Sequence, residues 1–221
     1  MSLSENYLEV KERIASSAAK TGRRADDITL VAVSKTVGAG RMTELFNLGH
    51  RIFGESRLDE VVEKKPLLPE GMEFHMIGHL QSRKAKDAIG LFGLIQSVDS
   101  LKLAGEIDKR SFSAGVKQEI LLEVNTSGEE SKFGFSHDEL DGCFESILSL
   151  KNIMVSGLMT MAPLSGNPED VRPVFGRTRE YFEKLCGIFP MKYLSMGMSQ
   201  DYEVAIQEGA NMVRIGTAIF K

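Results

Sequence analysis

ITLVAVS, Ile28 to Ser34, is a short apolar run broken by one threonine, and a lysine, Lys35, follows it directly. A strand that is wet on one face alternates polar and apolar residues, whereas one buried on both faces does not. This run therefore reads as an interior strand of a parallel sheet. Before it, Leu3, Tyr7, Leu8, Ile14 and Ala18 recur at near-helical spacing with charges between them, so the chain opens with an amphipathic helix. After it, RMTELFNLG (41–49) reads as a short helix that Gly49 closes as a C-cap.

The same unit then repeats along the chain. HRIFGES (50–56), EFHMIGH (73–79), LIQSVDS (94–100), QEILLEVNT (118–126), IMVSGLMTM (153–161), KYLSMGM (192–198) and NMVRIGTAIF (211–220) read as strands. Helix-like segments separate them: SRLDEVVEKK (56–65), QSRKAKDAI (81–89), LKLAGEIDKRS (101–111), SHDELDGCFESILSL (136–150), a longer stretch over 170–186, and SQDYEVAIQEG (199–209). Asp99 or Ser100 suits the N-cap of the helix at 101, and Ser136-x-x-Glu139 is a capping box. Ser199 or Gln200 is expected to start the helix before the last strand. Eight strands with a crossover helix between each consecutive pair require a parallel sheet. Eight units in 221 residues fit a closed (β/α)₈ TIM barrel with an extra N-terminal helix, and an open doubly wound sheet is the alternative that periodicity leaves standing. No Gly/Ser/Pro-rich linker divides the chain, so 1–221 is expected to be one domain. The proline-bearing stretch 162–173, between the sixth strand and its helix, reads as a functional loop.

A net charge of −4 gives no electrostatic reason to expect nucleic acid or anionic membrane as a partner. The basic cluster Arg83 to Lys86 reads as a solvated helix face. Cys143 and Cys186 are far apart in sequence, without CxxC or Cys/His spacing, and read as reduced, partly buried thiols. The N-terminus is charged and carries no apolar core of a signal peptide, and no run reaches membrane-spanning length; the expected location is the cytoplasm.

In a barrel of this kind the site lies at the carboxyl ends of the strands. Lys35 stands at the first of these. A lysine there projects a partly desolvated amine into the barrel mouth, where burial lowers its pKa and suits it to Schiff-base chemistry. Equally, it could snorkel to solvent or pair with a carboxylate such as Glu55. At the seventh and eighth strand ends stand SMGMSQD and RIGTAIF, which put Ser199, Gly216 and Thr217 where loops and a helix N-terminus commonly cup a phosphate; ordinary turns are the other reading. Arg214, two residues before Gly216, should face into the barrel, either paired with a carboxylate such as Glu123 or facing a ring nitrogen of a ligand. His75 and His79 lie on a strand-to-turn segment, where they do not share a face as metal ligands would. Lys132, in a loop, is a further amine that could reach the mouth.

With these stretches the sequence resembles, over its whole length, the pyridoxal phosphate homeostasis protein family, which looks like the barrel domain of alanine racemase. LVAVSKT, FGES, HMIGHLQSRK, LLEVNTSGEESKFGF, LSMGMSQDYEVAIQEGA and VRIGTAIF carry the likeness. The resemblance implies pyridoxal 5′-phosphate (PLP) as cofactor, with Lys35 as its Schiff-base lysine. It also implies that Ser199, Gly216 and Thr217 hold the phosphate and that Arg214 lies near the pyridine nitrogen. An arginine there leaves the ring nitrogen unprotonated and weakens the cofactor as an electron sink. The family usually ends its second strand Gly-Glu-Asn; Gly54-Glu55-Ser56 departs from this and puts any cofactor contact from that position in doubt.

Two functions follow from the resemblance. One is a monomeric carrier that sequesters PLP and supplies it to PLP-dependent client enzymes, without strong catalysis of its own. The other is an amino-acid racemase, which needs a base on each face of the substrate. The sequence runs to Lys221, just past the eighth strand, and is expected to lack the second racemase domain that provides one of those bases as a tyrosine. Tyr7, Tyr181, Tyr193 and Tyr202 have no evident strand-end placement to replace it. A Schiff-base aldolase without cofactor is a third reading.

Overall fold

The computed structural model describes residues 2–129 and 133–221. Eight parallel strands, β1 (Thr29–Val33), β2 (Ile52–Glu55), β3 (Glu73–Met76), β4 (Leu94–Val98), β5 (Gln118–Glu123), β6 (Ile153–Met159), β7 (Tyr193–Ser195) and β8 (Met212–Ile215), follow one another around a closed barrel. The open sheet is thereby excluded. The ring closes where Thr29 to Ala32 of β1 pair with Met212 to Ile215 of β8.

The helices are α1 (Leu3–Ala19), α2 (Ala39–Asn47), α3 (Leu58–Lys64), α4 (Ala85–Ala88), α5 (Leu101–Ala114), α6 (His137–Leu148), α7 (Arg172–Cys186), α8 (Tyr202–Gln207) and α9 (Thr217–Phe220). Ser100 caps α5 by accepting from Leu103 N–H, and the Ser136/Glu139 capping box opens α6. Gly49, at φ +96°, turns the chain out of α2 in the left-handed region that an L side chain avoids. Three boundaries differ from the sequence reading. The 81–89 stretch yields a 3₁₀ turn, Ser82–Lys84, and the one-turn α4. α8 begins at Tyr202, because Asp201 turns back to accept the Met198 N–H at 2.6 Å, and Ser199 therefore lies in the turn ahead of the helix. The end of the chain, read as strand and turn, forms α9.

The sheet divides the interior in two. Between strands and helices lies the large apolar core, which includes Phe53, Ile95, Leu103, Ile120, Phe175 and Ile215. Inside the barrel Val31, Leu94, Leu121, Met159 and Met212 make a separate apolar layer. Side chains two apart on a strand share a face. The residues above that layer are therefore Gln96, Glu123 and Arg214, so the barrel interior turns polar towards the carboxyl ends of its strands.

α1 packs against α8 and α9. Its Asn6 Nδ2 donates to the carbonyl oxygens of Ile219, at 3.3 Å, and Lys221, at 2.6 Å. Arg41 of α2 donates to the Phe220 carbonyl. The last turn of the chain, which borders the site, is thus held from outside by the first two helices.

Candidate functional site

A cavity of about 470 Å³ opens at the carboxyl ends of the strands, and Lys35, Ser199, Arg214, Gly216 and Thr217 all line it. That volume is within the range of small-molecule sites.

β1 ends at Val33, Ser34 is buried, and Lys35 sits in the turn beyond. Its side chain is exposed and, among the described residues, has no hydrogen-bond or ion-pair partner. Glu55 is not that partner, because another lysine holds it. Fully buried beneath the turn, Glu55 Oε1 accepts from the Ser34 hydroxyl at 2.7 Å and from Lys64 Nζ at 3.0 Å. Lys64 also donates to the Ser34 carbonyl at 3.0 Å. Burial pushes the Glu55 carboxyl upward, and the hydrogen bonds from Ser34 and Lys64 oppose that. The clamp fixes the residue immediately before Lys35 and leaves the lysine itself uncommitted.

Across the mouth, Ser199 Oγ accepts two backbone N–H groups, from Gly216 at 3.2 Å and Ala218 at 3.3 Å. Two amides from the end of β8 and the first turn of α9 already converge on one oxygen, as a phosphate oxygen would require. Glycine is needed here. A Cβ on Gly216 would stand 3.0 Å from the Val33 carbonyl oxygen, and one on Gly197, at φ +94°, would stand 2.8 Å from Tyr202 Cα.

Arg214 is buried, donating Nη1 to Ser195 Oγ at 2.7 Å and Nη2 to the Thr160 carbonyl at 2.8 Å. Burial draws its pKa down to about 10, opposed by Glu123 and Asp201, so it stays a cation at neutral pH. Among the described residues no carboxylate comes within ion-pair distance of it, so the Arg214–Glu123 pair is not formed. Strand β8 pairs with β7 and β1, and the guanidinium finds its acceptors on β7 and just past β6, Thr160. Glu123, on β5, influences it through the field alone.

The family model of the alanine racemase N-terminal domain matches residues 10–221. The pyridoxal phosphate homeostasis protein of Aquifex aeolicus is 43% identical over 223 residues, covering 100% of this chain and 98% of that one. A solved structure of PipY from Synechococcus elongatus, with PLP bound, has a TM-score of 0.84 at 31% identity, over 94% of this chain and 100% of that one. A crystal structure of an unknown protein from Bifidobacterium adolescentis reaches 0.92 at 33% identity, over 99% and 94%. The chain belongs to the pyridoxal phosphate homeostasis protein family.

Within this family member, the five residues singled out in the sequence meet at one cavity, and Ser56 also lines it. The desolvation expected of Lys35 is not found: the strand stops two residues earlier, and the turn carries the side chain out to solvent. His75 points into the barrel, whereas His79 bonds Asp99 at 2.9 Å and stacks on Phe133 with ring centroids 3.9 Å apart. None of the four tyrosines lines the cavity. Lys132 lies outside the described residues.

Asp201, which lines the cavity, was missed in the sequence, and Glu123 was read only as a partner for Arg214. Asp201 follows the Ser199-Gln200 pair and could have been read as a cap; Glu123 ends β5, a position that marks the mouth. Glu123 is buried, and burial together with the nearby Asp99 charge lifts its carboxyl from 4.5 to about 7, against the pull of Arg214. Its folded-state pKa exceeds its unfolded one. The stability it contributes is therefore full below about pH 4.5 and is lost as pH rises through about 7. Glu123→Gln should remove that dependence. Urea unfolding of the ligand-free protein should show the variant more stable than wild type by about 2 kcal/mol at pH 8, and near equal at pH 4.5. Parallel pH profiles for the two proteins would refute the assignment.

Proposed function

We propose that this protein binds PLP and serves its homeostasis in the cell, carrying the cofactor on Lys35 as a Schiff base and supplying it to client enzymes. The observation that carries the reading is that an uncommitted amine, Lys35, lines one cavity with Ser199, Gly216 and Thr217. PLP combines an aldehyde with a phosphate monoester, which are the two groups such a cavity can hold. The bound state of PipY and the name of the Aquifex aeolicus relative support the same ligand.

When bound, PLP supplies an aldehyde that condenses reversibly with an amine, with loss of water. The chain's own part is to hold and shield. The Glu55–Lys64 clamp anchors Ser34, so that Lys35 is presented from a fixed strand end. The hydroxyls of Ser199 and Thr217, with the Gly216 amide once Ser199 Oγ releases it, would provide donors for the phosphate. Arg214, a cation held by Ser195 Oγ and the Thr160 carbonyl, would lie toward the ring and keep a proton off the pyridine nitrogen by like-charge repulsion. That arrangement suits storage more than carbanion chemistry. The absence of a tyrosine from the cavity lining points the same way, away from a racemase. The reading further places the protein in the cytoplasm as a monomer, with PLP-dependent enzymes as recipients.

The test is a visible spectrum of the purified full-length protein with added PLP, followed by borohydride reduction and peptide mapping. A yellow protein whose reduced adduct maps to Lys35 is the expected result. A preparation that gains no visible absorbance overturns it, and rapid Lys35-dependent deuterium uptake at the α-carbon of alanine would overturn the carrier assignment in favour of an enzyme. For the cup, Ser199→Ala should weaken PLP binding about tenfold, through loss of a hydroxyl contact to the phosphate. Equilibrium titration followed by cofactor absorbance measures this, and an unchanged dissociation constant would remove Ser199 from the cup.

A further inference from the structure

A single file of side-chain hydrogen bonds runs the length of the barrel interior, and the binding of PLP alone does not call for it. From Arg214 the file passes to Ser195 Oγ at 2.7 Å, from the Ser195 hydroxyl to Gln96 Oε1 at 2.7 Å, and from Gln96 Nε2 to His75 Nδ1 at 3.0 Å. It ends where His75 Nε2 meets Glu73 Oε1 at 2.9 Å. With Gln96 Oε1 accepting from Ser195 and its Nε2 donating to His75 Nδ1, every bond points from the Arg214 guanidinium, which can only donate, towards the Glu73 carboxylate, which can only accept. Ser195 therefore turns its proton to Gln96, Gln96 turns its amide nitrogen to His75, and His75 carries its proton on Nε2.

Such a file is costly to bury. Gln96 and Ser195 are fully buried, and His75 and Arg214 are 3% exposed, beside an apolar layer of Val31, Leu94, Leu121, Met159 and Met212. Apolar side chains would fill that volume at lower cost. Glu73, by contrast, is half exposed at the first residue of β3, the end of the barrel away from the cavity, with Lys192 nearby. The hydrogen bond from His75 holds its carboxyl below the usual range, so the far end of the file is an anion at neutral pH. Aligned hydrogen bonds between a cation and an anion polarise one another in a low-dielectric interior.

We infer that Ser195, Gln96 and His75 are positioning residues for Arg214, and that Glu73 anchors them, so that a charge at the floor of the barrel tunes the ligand site at its mouth. The inference rests on the reading in which Arg214 faces bound PLP.

Three variants of the full chain test it, each titrated with PLP at one pH: Glu73→Gln, Gln96→Met and Arg214→Gln. Glu73→Gln keeps the accepting oxygen and removes only the charge, at a half-exposed position remote from the ligand. Gln96→Met cuts the file with an apolar side chain of similar length. The readings are the PLP dissociation constant, the relative heights of the cofactor's absorbance bands, and the melting temperature without ligand. Gln96→Met should weaken PLP about five- to tenfold and redistribute the bands, and Glu73→Gln should change both in the same direction by about two- to threefold, with its melting temperature unmoved. If Arg214→Gln alters affinity and bands while the other two leave them unchanged, the file is only structural and the inference falls, with the Arg214 reading intact. If Arg214→Gln changes neither, both fall. Should Gln96→Met fail to fold, Glu73→Gln decides by itself.

Discussion

Lys35→Ala should give a colourless protein that still folds. Lys35 is exposed, ends no strand, and among the described residues contacts no polar partner, so its truncation removes nothing that holds the barrel. What it removes is the one covalent link. PLP binding should weaken by at least about 100-fold, close to 2.7 kcal/mol, and borohydride should fix no adduct at the site. The residual affinity should belong to the phosphate cup, Ser199 in the turn before α8 with Gly216 and Thr217 at the start of α9, none of which depends on Lys35. A phosphate ester of the same ring without the aldehyde separates the two contributions: it should bind wild type and Lys35→Ala equally. If the variant stays yellow, or if borohydride fixes the adduct on Lys64 or another lysine, the assignment of Lys35 is wrong. Lys64 is the informative competitor, since it is nearly buried and committed to Glu55 at 3.0 Å.

The strand order was readable because each strand is a short apolar run, and each such run ends in a polar or glycine-rich group. That change of composition at Ser34-Lys35, at Met196 to Ser199 and at Gly216-Thr217 is the sheet meeting its cavity; position marked the five cavity-lining residues as candidates, and the family resemblance gave them their expected roles. What could not be read depends on neighbours far away in sequence. Glu55 is the nearest strand-end carboxylate to Lys35 in sequence, yet Lys64, one helix later, reaches it first. Arg214 and Glu123 both face inward with opposite charge, but Ser195 Oγ and the Thr160 carbonyl take the guanidinium instead. The interior file was invisible for the same reason. His75, Gln96 and Ser195 lie on three different strands, and nothing in the sequence links them until closure of the barrel brings each within 3.0 Å of the next. Helix limits failed where a cap, Asp201, competed with the apparent one at Ser199.

Gly157→Ala should be the most damaging small substitution in the barrel. Gly157 lies in β6 opposite Tyr193 of β7, and a Cβ there would stand 1.9 Å from the Tyr193 carbonyl oxygen and 2.7 Å from its carbonyl carbon. Both are backbone atoms in a closed ring, so no side chain can swing aside, and β6 and β7 must separate. β7 is three residues long, and on its other edge it is held to the β8 side by Asn211 N–H to the Leu194 carbonyl at 3.2 Å and Met196 N–H to the Met212 carbonyl at 3.1 Å, so it cannot move away from β6 without straining these as well. Separation would strain the Lys192 N–H to Ser156 carbonyl bond, at 2.8 Å, and the Thr160 N–H to Ser195 carbonyl bond, at 3.0 Å. Steric overlap of that kind, with loss of buried backbone bonds, costs about 4 kcal/mol, or roughly 10 °C of melting temperature for a chain of this size. The damage should reach the site as well, because Ser195 and Thr160 are the two anchors of the Arg214 guanidinium. Gly142→Ala is the matching control: Gly142 is exposed in α6 with nothing within 4 Å of a Cβ, so alanine there should stabilise by about 0.5 kcal/mol. Thermal melts of both variants without ligand decide the matter. If Gly157→Ala melts within about 2 °C of wild type, the approach of β6 to β7 is looser than described, and the anchoring of Arg214 cannot depend on it.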